Sequence, residues 1–236
     1  MKISYNGKNY CGWQKQNNKK TIEGVIEEVM TSILGETIDI VGSGRTDSSV
    51  SAICQVAHFD VSGVIPRGLM GHINSKLPND IRINAIELAK ETFHARYNAK
   101  LKTYKYYFYV GESNAYYDIF AHQVKYILND SAMQKAVKCL IGEHNFTSFC
   151  SADTDVKDKV RKIKSAKLEK NGKLYEFTVT GNGFLYNMVR IIVGTLIDIG
   201  RGRITMSMGD IINSCDRTKA GVTVSAKGLV LYNVEY

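Results

Sequence analysis

Apolar and polar positions alternate along this chain in short runs, broken by four stretches with helical spacing. Lys2–Tyr5 reads as a first strand, turned by Asn6-Gly7. Thr21 then caps a helix whose apolar positions Ile22, Val25, Ile26, Val29, Met30, Ile33 and Leu34 share one face, and Gly35 ends it. Ile38–Val41 is a short β-branched run, and Ile53–Asp60 alternates as a strand. Pro66 opens a helix through about Leu77, stopped by Pro78-Asn79-Asp80, and Ile81–Leu88 alternates again.

The passage near Ala99–Leu101 divides the chain into halves at 1–100 and 101–236. Thr103–Val110 is a strand with Tyr104, Tyr106 and Phe108 on one face and Lys105, Tyr107 and Tyr109 on the other. Asp130 caps a further helix with Met133, Ala136, Val137 and Leu140 inside and Gly142 at its end. Ile163–Glu169 and Leu174–Thr180 form a hairpin around Lys170-Asn171-Gly172-Lys173. Phe184–Ile199 is a helix apolar nearly all round, and Leu229–Tyr236 is a closing strand. Ile33-Leu34-Gly35-Glu36 is echoed by Leu140-Ile141-Gly142-Glu143, which suggests two α+β halves of similar plan.

Composition narrows the class. With 236 residues and 44% hydrophobic residues the chain can bury a core as one large domain or two small ones. No apolar stretch reaches membrane-spanning length, and Met1-Lys2-Ile3-Ser4 begins no signal peptide. The five Cys are scattered with no C-x-x-C pair, which points to reduced thiols in the cytoplasm and to no structural metal. The net charge of +8 suits a polyanionic partner. Fourteen Tyr, several beside Lys as in Lys102-Thr103-Tyr104-Lys105, fit either RNA contact or a Tyr-rich strand with solvated lysines.

Candidate chemistry sits between the second and third strands. Gly42–Ser49 is a small, polar loop carrying one cation, Arg45, and one anion, Asp47. Small neighbours leave room for a ligand, although Asp is also a common turn residue. Gly42-Ser43-Gly44 resembles part of a phosphate cradle, but no G-K-S/T follows it. Arg190 lies in the apolar helix, in the run Met188-Val189-Arg190-Ile191-Ile192. A buried guanidinium needs an anionic partner, and Asp47 is the attractive one; the other reading is that Arg190 snorkels to the helix edge.

Six blocks, in order, carry a resemblance to the TruA-type tRNA pseudouridine synthases over nearly the whole chain. They are Tyr10-Cys11-Gly12-Trp13-Gln14-Lys15-Gln16; Gly44-Arg45-Thr46-Asp47 with Gln55–Phe59; and Phe93-His94-Ala95-Arg96 with Lys102-Thr103-Tyr104. The others are Gly142-Glu143-His144 with Phe146–Cys150; Gly183-Phe184-Leu185 with Met188-Val189-Arg190 and Val193–Leu196; and Asp216-Arg217, Ala220-Gly221 and Gly228-Leu229. The resemblance implies an α+β fold, two similar halves sharing a continuous mixed β-sheet with the active site in a cleft between them. It implies a cofactor-free homodimer acting on the anticodon arm of tRNA at positions 38, 39 and 40.

The implied reaction cleaves the uridine N-glycosidic bond, turns the base and rejoins it through C5. Asp47 would be the essential carboxylate, by addition to the sugar, addition to the base or removal of the ribose 2′ proton. Arg45 would help extrude the base, which must leave its stack. Tyr104 would stack on the uracil and is a candidate to take the C5 proton; Leu185 would pack beside it, and Arg190 would pair with Asp47. The family usually has Ala-Gly-Val-His-Ala after the Asp, where this chain has Ser48-Ser49-Val50-Ser51-Ala52. If the glycine place needs a positive φ, Ser49 carries that strain. Tyr186-Asn187 stands where paired His are common, and Val222-Thr223-Val224 replaces a Pro-containing version. A second reading, a tRNA-binding module or chaperone on the same fold, fits less well, since a carboxylate amid basic surface opposes phosphate binding.

Overall fold

A computed structural model describes residues 1–152 and 156–236. In chain order the first elements are β1 (Lys2–Tyr5), α1 (Ile22–Leu34), β2 (Val41–Gly42), β3 (Ser51–His58), α2 (Leu69–Lys76) and β4 (Ile81–Ala85). There follow β5 (Leu101–Val110), β6 (His122–Val124), α3 (Asp130–Lys138), β7 (Gly142–Asn145), β8 (Val160–Asn171) and β9 (Leu174–Gly181). The last are α4 (Met188–Gly200), α5 (Met208–Ser214) and β10 (Leu229–Glu235).

One compact unit comprises Met1–Lys100 with Val230–Tyr236. Its strands run in the order β4-β1-β3-β10. β1 is antiparallel to both β4 and β3, whereas β10 lies parallel to β3, with Val230 opposite Ser51. Thr21 caps α1 as its sequence predicts, its side chain accepting from Gly24 N, and Gly35 closes the helix at φ 73°. The buried face differs from the apolar stripe. Ile22, Ile26 and Met30 are fully buried, and Glu23 and Glu27 are buried too, while Val25 and Val29 are half-buried. Glu27 takes the Ile40 amide at 3.0 Å, and Thr31 Oγ1 takes the Ile38 amide at 3.1 Å. Ile38 and Ile40 therefore bury their side chains while their backbone bonds go to helix side chains. That is why the expected strand at Ile38–Val41 shrinks to Val41–Gly42.

Other boundaries move for local reasons. The expected helix from Pro66 starts at Leu69, because Gly68 takes φ 75° and Leu69 N closes a turn on Pro66 O. The strand expected through Leu88 ends at Ala85, and the one expected over Ile53–Asp60 runs over Ser51–His58.

The second unit, Leu101–Leu229, has the strand order β5-β9-β8-β7, antiparallel at each step, with β6 parallel to the other edge of β5. The β8–β9 hairpin turns on Gly172, at φ 60°, and Lys173, as the Asn-Gly signal predicts. Asn129, not Asp130, caps α3, its side chain accepting from Ala132 N. Asp130 instead accepts from Lys170 Nζ at 2.6 Å and the Tyr175 hydroxyl at 2.7 Å. Gly142 begins β7 rather than ending α3, whose last residue is Lys138. The helix expected from Phe184 starts four residues later, because Asn187 sits in the left-handed region at φ 61°.

Helix α4 packs backbone to backbone against the chain at 221–222. A Cβ on Gly194 would lie 1.9 Å from Val222 O, and one on Gly221 would lie 2.7 Å from Gly194 C. Thr195 Oγ1 accepts from Gly221 N at 2.8 Å, and Arg217 Nη1 holds Gly221 O at 3.0 Å. The Asp216-Arg217 and Ala220-Gly221 block is thus a seat for α4. Among the described residues no helix is long and apolar enough to cross a membrane, and no group of three or more His, Cys, Asp and Glu could hold a metal ion.

Candidate active site

The loop after β2 is tied at both ends and in the middle. Ser43 N donates to Val56 O at 2.7 Å, and Ser43 Oγ donates to Gln55 Oε1 at 2.6 Å. The other end of the Gln55 amide donates to Gly44 O at 2.9 Å. Gln55 is fully buried, so this one side chain satisfies the Ser43 hydroxyl and the Gly44 carbonyl where water cannot.

The Tyr10–Gln16 block holds the rest. Trp13 N donates to Thr46 O at 3.0 Å, and the Thr46 hydroxyl shares a 2.7 Å hydrogen bond with the Tyr5 hydroxyl. Tyr10 O accepts from Ser49 N at 3.3 Å and from Ser48 Oγ at 3.2 Å. A Cβ on Gly12, whose φ is 89°, would lie 2.7 Å from Thr46 O, so the backbones meet where only glycine fits. Trp13 is fully buried, and its indole lies where a Cβ on Gly42 would be 2.7 Å away. Thr46 is therefore clamped inward, 6% exposed, while its neighbour Asp47 stays half-exposed. Beyond Asp47, Val50 N closes a turn on Asp47 O at 3.1 Å, and Ser49 takes φ 65°. The glycine place does need a left-handed residue, and a serine holds it.

Arg45 is exposed and donates from Nε to Gln14 Oε1 at 3.0 Å. Behind Gln14 lies Glu23, 4% exposed, in the first turn of α1. Its Oε1 accepts from Trp13 Nε1 at 3.0 Å; its Oε2 accepts from Lys15 N at 2.6 Å and from Gln14 Nε2. Burial raises the Glu23 carboxyl above its ordinary value, and the Lys15 amide opposes that rise.

The first unit thus brings Arg45 and Asp47 together; Tyr104, Leu185 and Arg190 lie in the second. Tyr104 stands opposite Val179 in the β5–β9 ladder, and its ring meets Phe184 edge-on, centroids 5.0 Å apart. Leu185 is buried, with its carbonyl accepting from Met188 N at 3.0 Å. Arg190 is half-buried in the first turn of α4; Nε donates to Val224 O at 2.8 Å and Nη1 to Asn187 Oδ1 at 2.6 Å. Asn187 Nδ2 in turn donates to Ser151 Oγ at 2.9 Å. Below Arg190, the Tyr106 hydroxyl donates to Ser225 O at 2.7 Å; burial pushes its pKa up, and the Arg190 charge pulls it back.

Sequence reasoning missed Gln14, Glu23 and Asn187 as parts of the site. Gln14 stands inside the Tyr10–Gln16 block, and Asn187 three residues before Arg190. Nothing in the helical pattern marks Glu23, which reads there as a solvated first-turn acid.

A family model described as tRNA pseudouridine synthase matches residues 1–98 and 136–236. The tRNA pseudouridine synthase A of Brevibacillus brevis is 43% identical over 240 residues, covering 99% of this chain and 97% of that protein. The protein of the same name from Caldicellulosiruptor bescii is 45% identical over 239 residues, covering 100% and 98%. Among solved structures, a chain of the archaeal box H/ACA sRNP Nop10-Cbf5 complex matches with a TM-score of 0.36 and 12% identity, over 93% of this chain and 59% of that one.

Proposed function

The chain belongs to the tRNA pseudouridine synthase family, and from that premise we propose how its own residues turn uridine into pseudouridine in tRNA. The fold is the α+β pseudouridine synthase fold, and the reaction is an isomerisation. The N1–C1′ bond breaks, the uracil rotates, a C5–C1′ bond forms, and the C5 proton is lost as N1 regains one.

Asp47 is the carboxylate on which the glycosidic step turns. Arg190 is assigned as the cation that serves that carboxylate, a role the motif resemblance supports. Arg45 extrudes the target base and fills its place in the stack. Tyr104 stacks on the extruded uracil and accepts the C5 proton, with Leu185 packed beside the ring. The observation that carries this reading is the clamp on Thr46. Tyr5, Gly12 and Trp13 hold that residue inward, so the next side chain, Asp47, is presented on a rigid loop.

The substrate site is the anticodon arm, at positions 38, 39 and 40, and the enzyme works as a homodimer in the cytoplasm; the six motif blocks support these points. The +8 charge suits the phosphates of that arm. Mapping pseudouridine in tRNA from cells lacking this protein tests the assignment: loss at those three positions is expected. Unchanged modification there would overturn it.

A further inference from the structure

Arg45 carries a long, exposed side chain whose extrusion role needs a defined direction, and a free arginine samples many rotamers. One hydrogen bond supplies the direction, from Nε to Gln14 Oε1 at 3.0 Å. Nε is the inner nitrogen of the guanidinium, so fixing it sets the plane and turns the two Nη groups outward, the edge that meets a phosphate or a base. We infer that Gln14 is the positioning residue for Arg45, and that Glu23 fixes which end of the Gln14 amide meets the guanidinium. The inference rests on the proposed role of Arg45 in base extrusion.

Glu23 matters because an amide can present either end. A carboxylate only accepts, and Glu23 is buried, with no solvent to substitute. Both its oxygens meet donors: Trp13 Nε1 on one, Lys15 N and Gln14 Nε2 on the other. Gln14 must therefore turn its NH₂ toward Glu23, which leaves its carbonyl oxygen for Arg45. The reversed amide would set oxygen against carboxylate and NH₂ against guanidinium, two repulsions at once. Trp13 joins the two halves of the device. Its indole nitrogen anchors Glu23, and its backbone nitrogen clamps Thr46. One buried acid thus bears on Arg45 through Gln14 and on Thr46, the residue between Arg45 and Asp47, through Trp13.

A double-mutant cycle tests this. Pseudouridine formation is followed in single turnover, enzyme in excess, for wild type, Gln14→Met, Gln14→Glu, Arg45→Ala and the Gln14→Met/Arg45→Ala pair, at a temperature where melting curves show each folded. Gln14→Met keeps length and loses the acceptor; it should slow the step about tenfold, the loss expected for a hydrogen bond to a charged group. Affinity for tRNA should stay within about threefold, a split that a merely structural role would not give. Gln14→Glu offers Arg45 an oxygen but loses the NH₂ that Glu23 requires and sets two carboxylates together, so it should recover little of the rate, and full recovery would separate Glu23 from the device. The double variant should be no slower than Arg45→Ala alone. An undiminished rate in Gln14→Met, or a tenfold loss repeated in the Arg45→Ala background, overturns the inference while leaving the Arg45 role intact. Full activity of Arg45→Ala overturns that role, and the inference with it.

Discussion

Asn187 Oδ1 accepts a 2.6 Å hydrogen bond from Arg190 Nη1, three residues further along the chain. With Val224 O at 2.8 Å on Nε, the guanidinium plane is fixed from two directions. Arg190→Ala leaves both acceptors without it and should cost roughly 1–3 kcal/mol in denaturant melts. If Arg190 also aims Asp47, single-turnover product formation should fall by on the order of 100-fold. Arg190→Lys keeps the charge and loses the fork, so it should restore stability better than rate. A stable, active Arg190→Ala protein would separate Arg190 from the chemistry of Asp47.

Asp47→Asn retains the shape of the loop and removes its only anion. Product should vanish, while tRNA binding survives within about tenfold, or about 1.4 kcal/mol. Pseudouridine detected in single turnover with this variant would remove Asp47 from the reaction.

Gly12 lies against the working loop rather than in it. An alanine there needs φ 89° and sets its Cβ 2.7 Å from Thr46 O. Gly12→Ala should destabilise the protein by roughly 2–4 kcal/mol and slow the reaction in the fraction that remains folded. Melting curves combined with single-turnover rates check both halves; a variant matching wild type in each would mean that this close approach does not position Asp47.

Ser49 holds φ 65° in a turn closed by Val50 N on Asp47 O. Ser49→Gly relieves the left-handed strain, offset in part by the freer unfolded chain, for a net gain of about 0.5–1 kcal/mol. Equilibrium urea unfolding measures it, and a loss of stability would show that the serine hydroxyl outweighs the backbone strain.

His58 Nδ1 accepts the Ala95 amide at 3.2 Å, which only a neutral imidazole can do at that nitrogen. Burial, with the adjacent His94, lowers its pKa below the ordinary 6.5. Because the folded value is lowered, the unfolded chain binds more protons in that window, and stability falls as pH drops through and below 6.5. His58→Gln keeps an acceptor and cannot titrate, so its melting temperature should change less between about pH 7 and pH 5. Equal slopes for the two proteins would show that His58 does not govern the acid limb.

The sequence made the punctuated elements legible. Thr21 and Gly35 bracket α1, and Gly172 turns the β8–β9 hairpin, because each signal acts within a few residues. α5 leaves no mark in the apolar spacing, although Ser207 caps it on Asp210 N, because seven residues give too little periodicity. The apolar stripe puts the start of α4 at Phe184, since it does not reveal that Asn187 sits at φ 61°. The candidate site divides in the same way. Asp47 and Arg45 stand out as the charges in a small-residue loop. Glu23, Gln14 and Asn187 act through partners that only the folded chain assembles, so no local pattern separates them from solvated polar residues.

The strand β10 has a consequence for how the protein is made. Residues 101–229 form one unit that is uninterrupted in sequence. The first unit emerges earlier yet lacks a strand, since β10 supplies the parallel partner of β3 at Ser51 and Ala52. For the time it takes to translate the intervening 129 residues, that edge of β3 is open to wrong partners. The unit that carries Asp47 is thus begun first and completed last, and nascent chains stalled before Val230 should present an unpaired β3 edge at Ser51 and Ala52.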